Sequence, residues 1–152
     1  MKAVIQRVSR ASVDVDGVTV GSCRRGYMIL LGVAEGDTEQ DAELLCKKIA
    51  NLRIFPDAEG KMNLSVKDID GEALVISQFT LLANYRHGNR PDFMESAKPD
   101  TANALYESFK QRLAGELRHV GAGVFGAHMQ VSLVNDGPVT IVMDSEVLKK
   151  RK

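Results

Sequence analysis

The chain has 152 residues, 44% of them hydrophobic and 26% charged, and its twenty basic and twenty acidic side chains balance to a formal charge of zero. That balance excludes nucleic-acid binding through a global positive field, though not a local grip. No run approaches the roughly 18 apolar residues of a membrane span, and the opening MKAVIQRVSR lacks the apolar stretch of a signal peptide. A cytoplasmic chain with no membrane partner is therefore expected, folded as a single domain over residues 1–152 that buries about 70% of its unfolded surface.

The first 33 residues read as β structure. Val13 and Val15 alternate with Ser12 and Asp14, the chain turns at Asp16-Gly17, and Val18 and Val20 resume the alternation. Asp-Gly between alternating valines is a hairpin signal. Tyr27–Ala34 (YMILLGVA) has no polar phase, so it predicts a strand buried on both faces. A helix follows, with Asp37 or Thr38 as cap and Gln40 or Asp41 three residues on. Ala42, Leu45, Ile49 and Leu52 form its apolar stripe. Pro56–Asn63 is turn chemistry, and residues 72–82 read as a further strand. A second helix is expected from Pro99, a residue suited to a first turn, to about Arg118, burying Ala102, Leu105, Phe109 and Leu113. After glycines at 121, 123 and 126, AHMQVSLVNDGPVTIVMDS reads as two strands joined at Asn135-Asp136-Gly137-Pro138. The expected class is α+β: a mostly antiparallel sheet or barrel with two main helices packed on one side.

The common catalytic signatures are missing: no G-x-S-x-G, no H-E-x-x-H and no phosphate-binding G-x-x-x-x-G-K-[ST]. His87, His119 and His128 have no metal-ligand spacing with one another or with the cysteines, so neither metal nor cofactor is expected. Cys23 and Cys46 read as reduced, partly buried thiols. Asp68, Asp70 and Glu72 beside a turn read as a solvated loop. The basic clusters are the tail Lys149-Lys150-Arg151-Lys152, read as solvated, and the loop with Arg86, His87 and Arg90.

Two stretches ask for a further explanation. Within 72–82 the apolar run Ala73–Ile76 is broken by Ser77, Gln78 and Thr80 before Leu81 and Leu82 resume it. Buried hydroxyls and amides cost roughly 1–3 kcal/mol each when unpaired. If the strand stays regular, Gln78 and Thr80 share one face and Ser77 and Phe79 the other. Either these groups face water on an edge strand, or they line a mouth where a bend frees backbone N–H groups. In the second stretch, NDGPVT, a hairpin tip is the plain reading. The alternative is that Gly137, lacking a side chain, and Pro138, able to take a cis bond, present bare carbonyls to a ligand.

Together the two stretches resemble the D-aminoacyl-tRNA deacylases, a family with a Ser-Gln-Phe-Thr motif, matched by Ser77-Gln78-Phe79-Thr80, and a Gly-Pro motif, matched by Gly137-Pro138. MKAVIQRVSRASV and NLRIFPDAEGKMNLSV also read like this family, so the resemblance spans nearly the whole chain. It implies a homodimer in which a cis Gly137-Pro138 pair enters the partner's pocket and rejects L-aminoacyl groups. It also implies hydrolysis of the ester joining a D-amino acid, or a mischarged glycine, to the terminal adenosine of tRNA. Ser77, Gln78 and Thr80 with their backbone N–H groups would line the pocket, and Phe79 would pack to fix a bend. With no base in sight for Thr80, oxyanion stabilisation by backbone N–H groups and the substrate's 2′-hydroxyl rank above Thr80 as nucleophile. A non-catalytic tRNA- or nucleotide-binding module is the reading from a different class.

Overall fold

The computed structural model describes residues 1–149. Strand β1 (Lys2–Val15) pairs antiparallel with β2 (Val18–Cys23) through the expected turn. Asp16 and Gly17 both take positive φ, 50° and 77°, as a two-residue hairpin of matching twist requires. The first half of β1 pairs antiparallel with β3 (Gly26–Gly32), which then pairs in parallel with β6 (Glu72–Ser77). Between them lie helix α1 (Glu39–Asn51) and the small hairpin β4 (Phe55–Pro56) and β5 (Met62–Leu64). Helix α2 (Pro99–Ala114) leads to β7 (Val120–Ala122), parallel to β6, and then to β8 (Gln130–Asp144), antiparallel to β1, and α3 (Ser145–Lys149).

The sheet is therefore mixed rather than purely antiparallel, and it curls almost into a barrel. At its two ends β2 and β7 come into backbone contact: a Cβ at Gly21 would lie 2.2 Å from the Ala122 carbonyl oxygen, and one at Gly121 would lie 2.5 Å from that of Ser22. Only glycine permits this approach. Tyr27, Ile29, Leu31, Ala73 and Val75 face outward onto α1 and α2, which contribute Leu45, Ile49, Leu105, Phe109 and Leu113. Met28, Leu74 and Ile76 face inward with Val8, Val13 and Cys23. Strands β3 and β6 are thus buried on both faces, which is why neither has a polar phase.

Thr38 caps α1, its N–H donating to Asp41 at 2.8 Å. Asp41 is itself buried, accepting from the Ser145 hydroxyl at 2.6 Å and pairing with Lys149 at 2.8 Å. Lys149 therefore belongs to α3 and an ion pair rather than to a solvated tail, while residues 150–152 of that tail lie outside the described residues. Helix α2 stops at Ala114 instead of Arg118, because Gly115, a poor helix former, follows and caps it. The carboxylates at 70 and 72 are not simply solvated: Glu72 is buried, and Arg118 pairs with both it (2.8 Å) and Asp70 (3.6 Å). Asp68 caps the turn at Ser65, whose N–H it accepts at 2.9 Å. Among the described residues no helix is long and apolar enough to cross a membrane.

Candidate active site

The strand read over 72–82 ends at Ser77. Gln78 makes the last ladder bond, donating its N–H to the Leu31 carbonyl at 2.8 Å, and Phe79–Leu82 then wind into a single 3-10 turn. Leu81 and Ala83 donate back to Gln78 (3.3 Å) and Thr80 (3.2 Å). The first N–H groups of a helical turn have no acceptor within it. Accordingly, the N–H groups of Phe79 and Thr80 make no hydrogen bond among the described residues. The face alternation expected beyond Ser77 does not exist, because the backbone leaves the sheet there; the bend that frees backbone donors does.

Gln78 and Thr80 satisfy each other, the amide Nε2 donating to the hydroxyl at 2.9 Å. Phe79 does not pack inside to fix the bend: it is 54% exposed and meets Phe93 edge-on, ring centroids 5.0 Å apart. Both rings line a cavity of about 570 Å3 between the end of β6, the start of α2 and the loop after β7. Ser77, Lys98, Phe125 and Met129 are also part of its wall, while Gln78 and Thr80 lie outside it. The first turn of α2, with Lys98 and Pro99, opens on the cavity, so the positive end of the helix dipole and an ammonium both favour negative charge there. Gly126, at φ 79°, turns the 125–127 segment along the wall. Lys98, Phe93, Phe125 and Met129 escape sequence reading, since nothing in their spacing links them to residues 77–80.

Gly137-Pro138 is not the junction of two strands. Strand β8 runs through it, and the pair sits in a bulge where the register on β1 slips between Gln6 and Arg10. The peptide bond is cis. The Asn135 carboxamide oxygen accepts the Val139 N–H at 3.0 Å, and its nitrogen donates to Thr140 at 3.1 Å. Arg7 holds the other side, donating through Nε to the Asp136 carbonyl at 3.0 Å and through Nη1 to that of Ile54 at 2.7 Å. The segment is thus exposed yet tied down on both flanks.

One protomer does not bring the two motifs together. Ser77 pairs with Leu31, Leu31 with Ala3, and Ala3 with Met143, whereas Gly137-Pro138 lies near Arg7. Four residues along β1 and three strand spacings across amount to about 13 Å by about 14 Å.

The cysteines take no part. Burial foremost, with the Glu72 carboxylate, pushes the Cys23 thiol up to about 12, and burial with Glu116 pushes Cys46 up to about 11. His119 sets a ring nitrogen 2.9 Å from the Ser22 carbonyl, and His128 lies 3.3 Å from Gln130. Neither histidine reaches the cavity wall.

The chain is 57% identical over 146 residues to a D-aminoacyl-tRNA deacylase of Caldicellulosiruptor saccharolyticus, covering 96% of this chain and 98% of that one. It is 58% identical over 150 residues to one of Roseiflexus castenholzii, covering 99% and 96%. A solved structure described as c-Myc DNA Unwinding Element Binding Protein superposes with a TM-score of 0.90 at 44% identity, over 95% of this chain and 98% of that one. Another, described as a probable eukaryotic D-amino acid tRNA deacylase, shares the fold alone, at TM-score 0.78 and 17% identity over 93% and 97%. Residues 4–144 match the family model described as D-Tyr-tRNA(Tyr) deacylase, and the chain belongs to that family.

Proposed function

We propose that the chain performs its family's reaction as one unit: hydrolysis of the ester between a D-amino acid, or a mischarged glycine, and the terminal adenosine of tRNA. The chain is an ester hydrolase, and it edits charged tRNA. The observation that carries the mechanistic reading is the bend after Ser77, which leaves the N–H groups of Phe79, on the wall of an aromatic-lined cavity, and of Thr80 beside it without a partner among the described residues. In a strand continuing to Leu82 the two N–H groups would point to opposite edges of that strand and could not converge on one oxygen.

In this reading adenosine and the aminoacyl group enter the cavity, with Phe79 and Phe93 as apolar contact surface. Water attacks the ester carbonyl carbon, and the oxyanion that develops accepts from the freed N–H groups. Each such donor is worth about 2.7–4 kcal/mol of barrier. The vicinal 2′-hydroxyl of the ribose helps to activate the water, and the 3′-oxygen leaves with a proton. A Thr80 nucleophile is disfavoured because the partner of its hydroxyl is the Gln78 amide, a donor that cannot take a proton from it. Ser77, Gln78, Phe79 and Thr80 are therefore positioning and donor residues.

Chiral selection is assigned to the Gly137 and Pro138 carbonyls of a second copy, held where an L side chain would clash with them. Glycine, with no side chain, escapes this filter. The separation of the two motifs within one protomer supports a homodimer. So does β8, a 15-residue strand hydrogen-bonded to β1 on one edge, with Val134 and Val142 exposed. An open edge of that length is a place for a second chain. The same reading places the chain in the cytoplasm, with aminoacyl-tRNA.

The test is incubation with D-tyrosyl-, L-tyrosyl- and glycyl-tRNA. Release of D-tyrosine and glycine with the L ester intact is expected. A protected D-tyrosyl ester would instead identify a non-catalytic binding module.

A further inference from the structure

Between the 3-10 turn and α2 lies a loop whose chemistry hydrolysis does not use. Asn84 and Asp92 exchange two backbone hydrogen bonds, of 2.8 and 3.0 Å, and so pinch residues 85–91 into a closed loop. The Asn84 side chain accepts the Arg86 N–H at 3.1 Å, and Gly88 at φ 66° makes the reversal. The far arm runs directly into Phe93, which lines the cavity against Phe79. The loop is thus anchored at the cavity's rim.

Residues 84–90 read Asn-Tyr-Arg-His-Gly-Asn-Arg, with two arginines and no acid. Every residue from 85 to 92 is exposed, and Tyr85 is 81% exposed. Among the described residues the side chains of Arg86 and Arg90 make no ion pair or hydrogen bond. Arg7, Arg53, Arg112 and Arg118 are all engaged by neighbours. An open aromatic face beside uncommitted guanidinium groups is the equipment for single-stranded nucleic acid: bases stack on the ring and the guanidinium forks take phosphates. A chain of zero formal charge has no long-range field to hold RNA, so its grip must be local.

We propose that the 84–92 loop docks the unpaired 3′ strand of the substrate RNA, Tyr85 stacking on a base upstream of the terminal nucleoside and Arg86 and Arg90 each taking a phosphate. The assignment rests on the deacylase reading for the identity of the RNA, but its test does not need hydrolysis. A fluorescent, uncharged RNA stem-loop with a four-nucleotide single-stranded 3′ tail is titrated by anisotropy, beside the same stem with a blunt end. Wild type binds the tailed RNA at least about tenfold more tightly than the blunt one. Arg86→Gln with Arg90→Gln costs about tenfold or more on the tailed RNA. It also lowers the slope of log affinity against log salt by about 1.4, at about 0.7 per single-strand phosphate contact. Tyr85→Ala costs about fivefold or more, and Tyr85→Phe restores the affinity.

The same variants hydrolyse D-tyrosyl-adenosine, which has no upstream nucleotide, at the wild-type rate, and their melting temperatures show that they fold. Equal affinity of wild type and the double variant for the tailed RNA would overturn the assignment. So would equal binding of tailed and blunt RNA, an unchanged salt slope, or an equal loss on D-tyrosyl-adenosine, which would make the loop part of the cavity. A wild type that hydrolyses neither ester refutes the deacylase reading, and the anisotropy arm still decides the loop.

Discussion

Gly137→Ala separates a structural role for the Gly-Pro segment from a role in the reaction. Gly137 sits at φ 133°, and a Cβ there would lie 2.9 Å from Val139 Cγ2 and 3.1 Å from Arg7 Nη2. These two are side-chain ends, whereas the Val139 nitrogen, also 3.1 Å away, is backbone, and with the backbone conformation the cost is about 2 kcal/mol for a non-glycine residue. For a chain of this length that lowers the melting temperature by about 4–8 °C. A domain with an ordinary 5–15 kcal/mol of stability keeps at least about 3 kcal/mol, so less than about 1% of the variant is unfolded at 25 °C. Any fall in activity beyond that fraction belongs to the site. Single-turnover deacylation of D-tyrosyl-tRNA, read beside the melting curve, should fall at least about 100-fold, or selectivity against the L ester should collapse. A variant showing the stated loss of melting temperature with normal rate and selectivity would show that the segment only shapes β8.

Thr80→Ala removes one exposed hydroxyl whose sole partner among the described residues is Gln78, so single-turnover hydrolysis should slow only severalfold with no acyl-enzyme in the mass spectrum. A 2′-deoxy terminal adenosine should cost about 100-fold or more with binding largely kept, and an aminoacyl ester trapped on Thr80 would reverse that ranking. Cys23 and Cys46, buried and with thiols raised to about 12 and 11, should resist iodoacetamide at pH 8 in the native protein and both react in urea; rapid native labelling of either refutes the burial argument. Burial alone would raise the Asp41 carboxyl, but bonds from Lys149, Ser145 and the Thr38 N–H outweigh it and hold the group below its ordinary value of 3.8. A depressed carboxyl stabilises above its unfolded value and loses that stabilisation as pH falls. Asp41→Asn should therefore melt well below wild type at pH 7, with the gap shrinking from about pH 4 downward. A gap that stays constant to pH 2.5 contradicts this.

Much of the fold was legible because local signals and burial agreed. Asp16-Gly17 between alternating valines could only turn, and Thr38 with Asp41 could cap the helix that follows them. The apolar run in β3 announced a strand covered on both faces, although only the structure shows that it pairs in parallel with β6. Period-two patterning says which face a side chain takes, not which strand lies beside it. The Asp41–Ser145–Lys149 network joins residues more than 100 positions apart, and no local pattern encodes it.

The geometry of the candidate site was half legible, for a physical reason. Ser77, Gln78 and Thr80 stood out because hydroxyls and an amide do not interrupt a core strand without a purpose, and that cost is readable in one dimension. How the chain meets the cost is not, since a regular edge strand and a strand that stops in a 3-10 turn carry the same letters. The two differ in where the backbone donors go: the edge strand directs them to water or a ladder, and the turn leaves the N–H groups of Phe79, on the cavity wall, and Thr80 without a partner among the described residues. Phe79 shows the same limit. Its apolar side chain predicts packing, yet it lies half in the open against Phe93, because the surface it serves belongs to the cavity and not to the core. Gly137-Pro138 fails differently. Its conformation is set by Arg7 and Asn135 within the chain, but along the sheet it lies about 13 Å by about 14 Å from Ser77, and the proposed function therefore assigns its carbonyls to the cavity of a second copy. Local patterning can mark both motifs and still give no sign, short of family resemblance, of whether a second chain would bring them together.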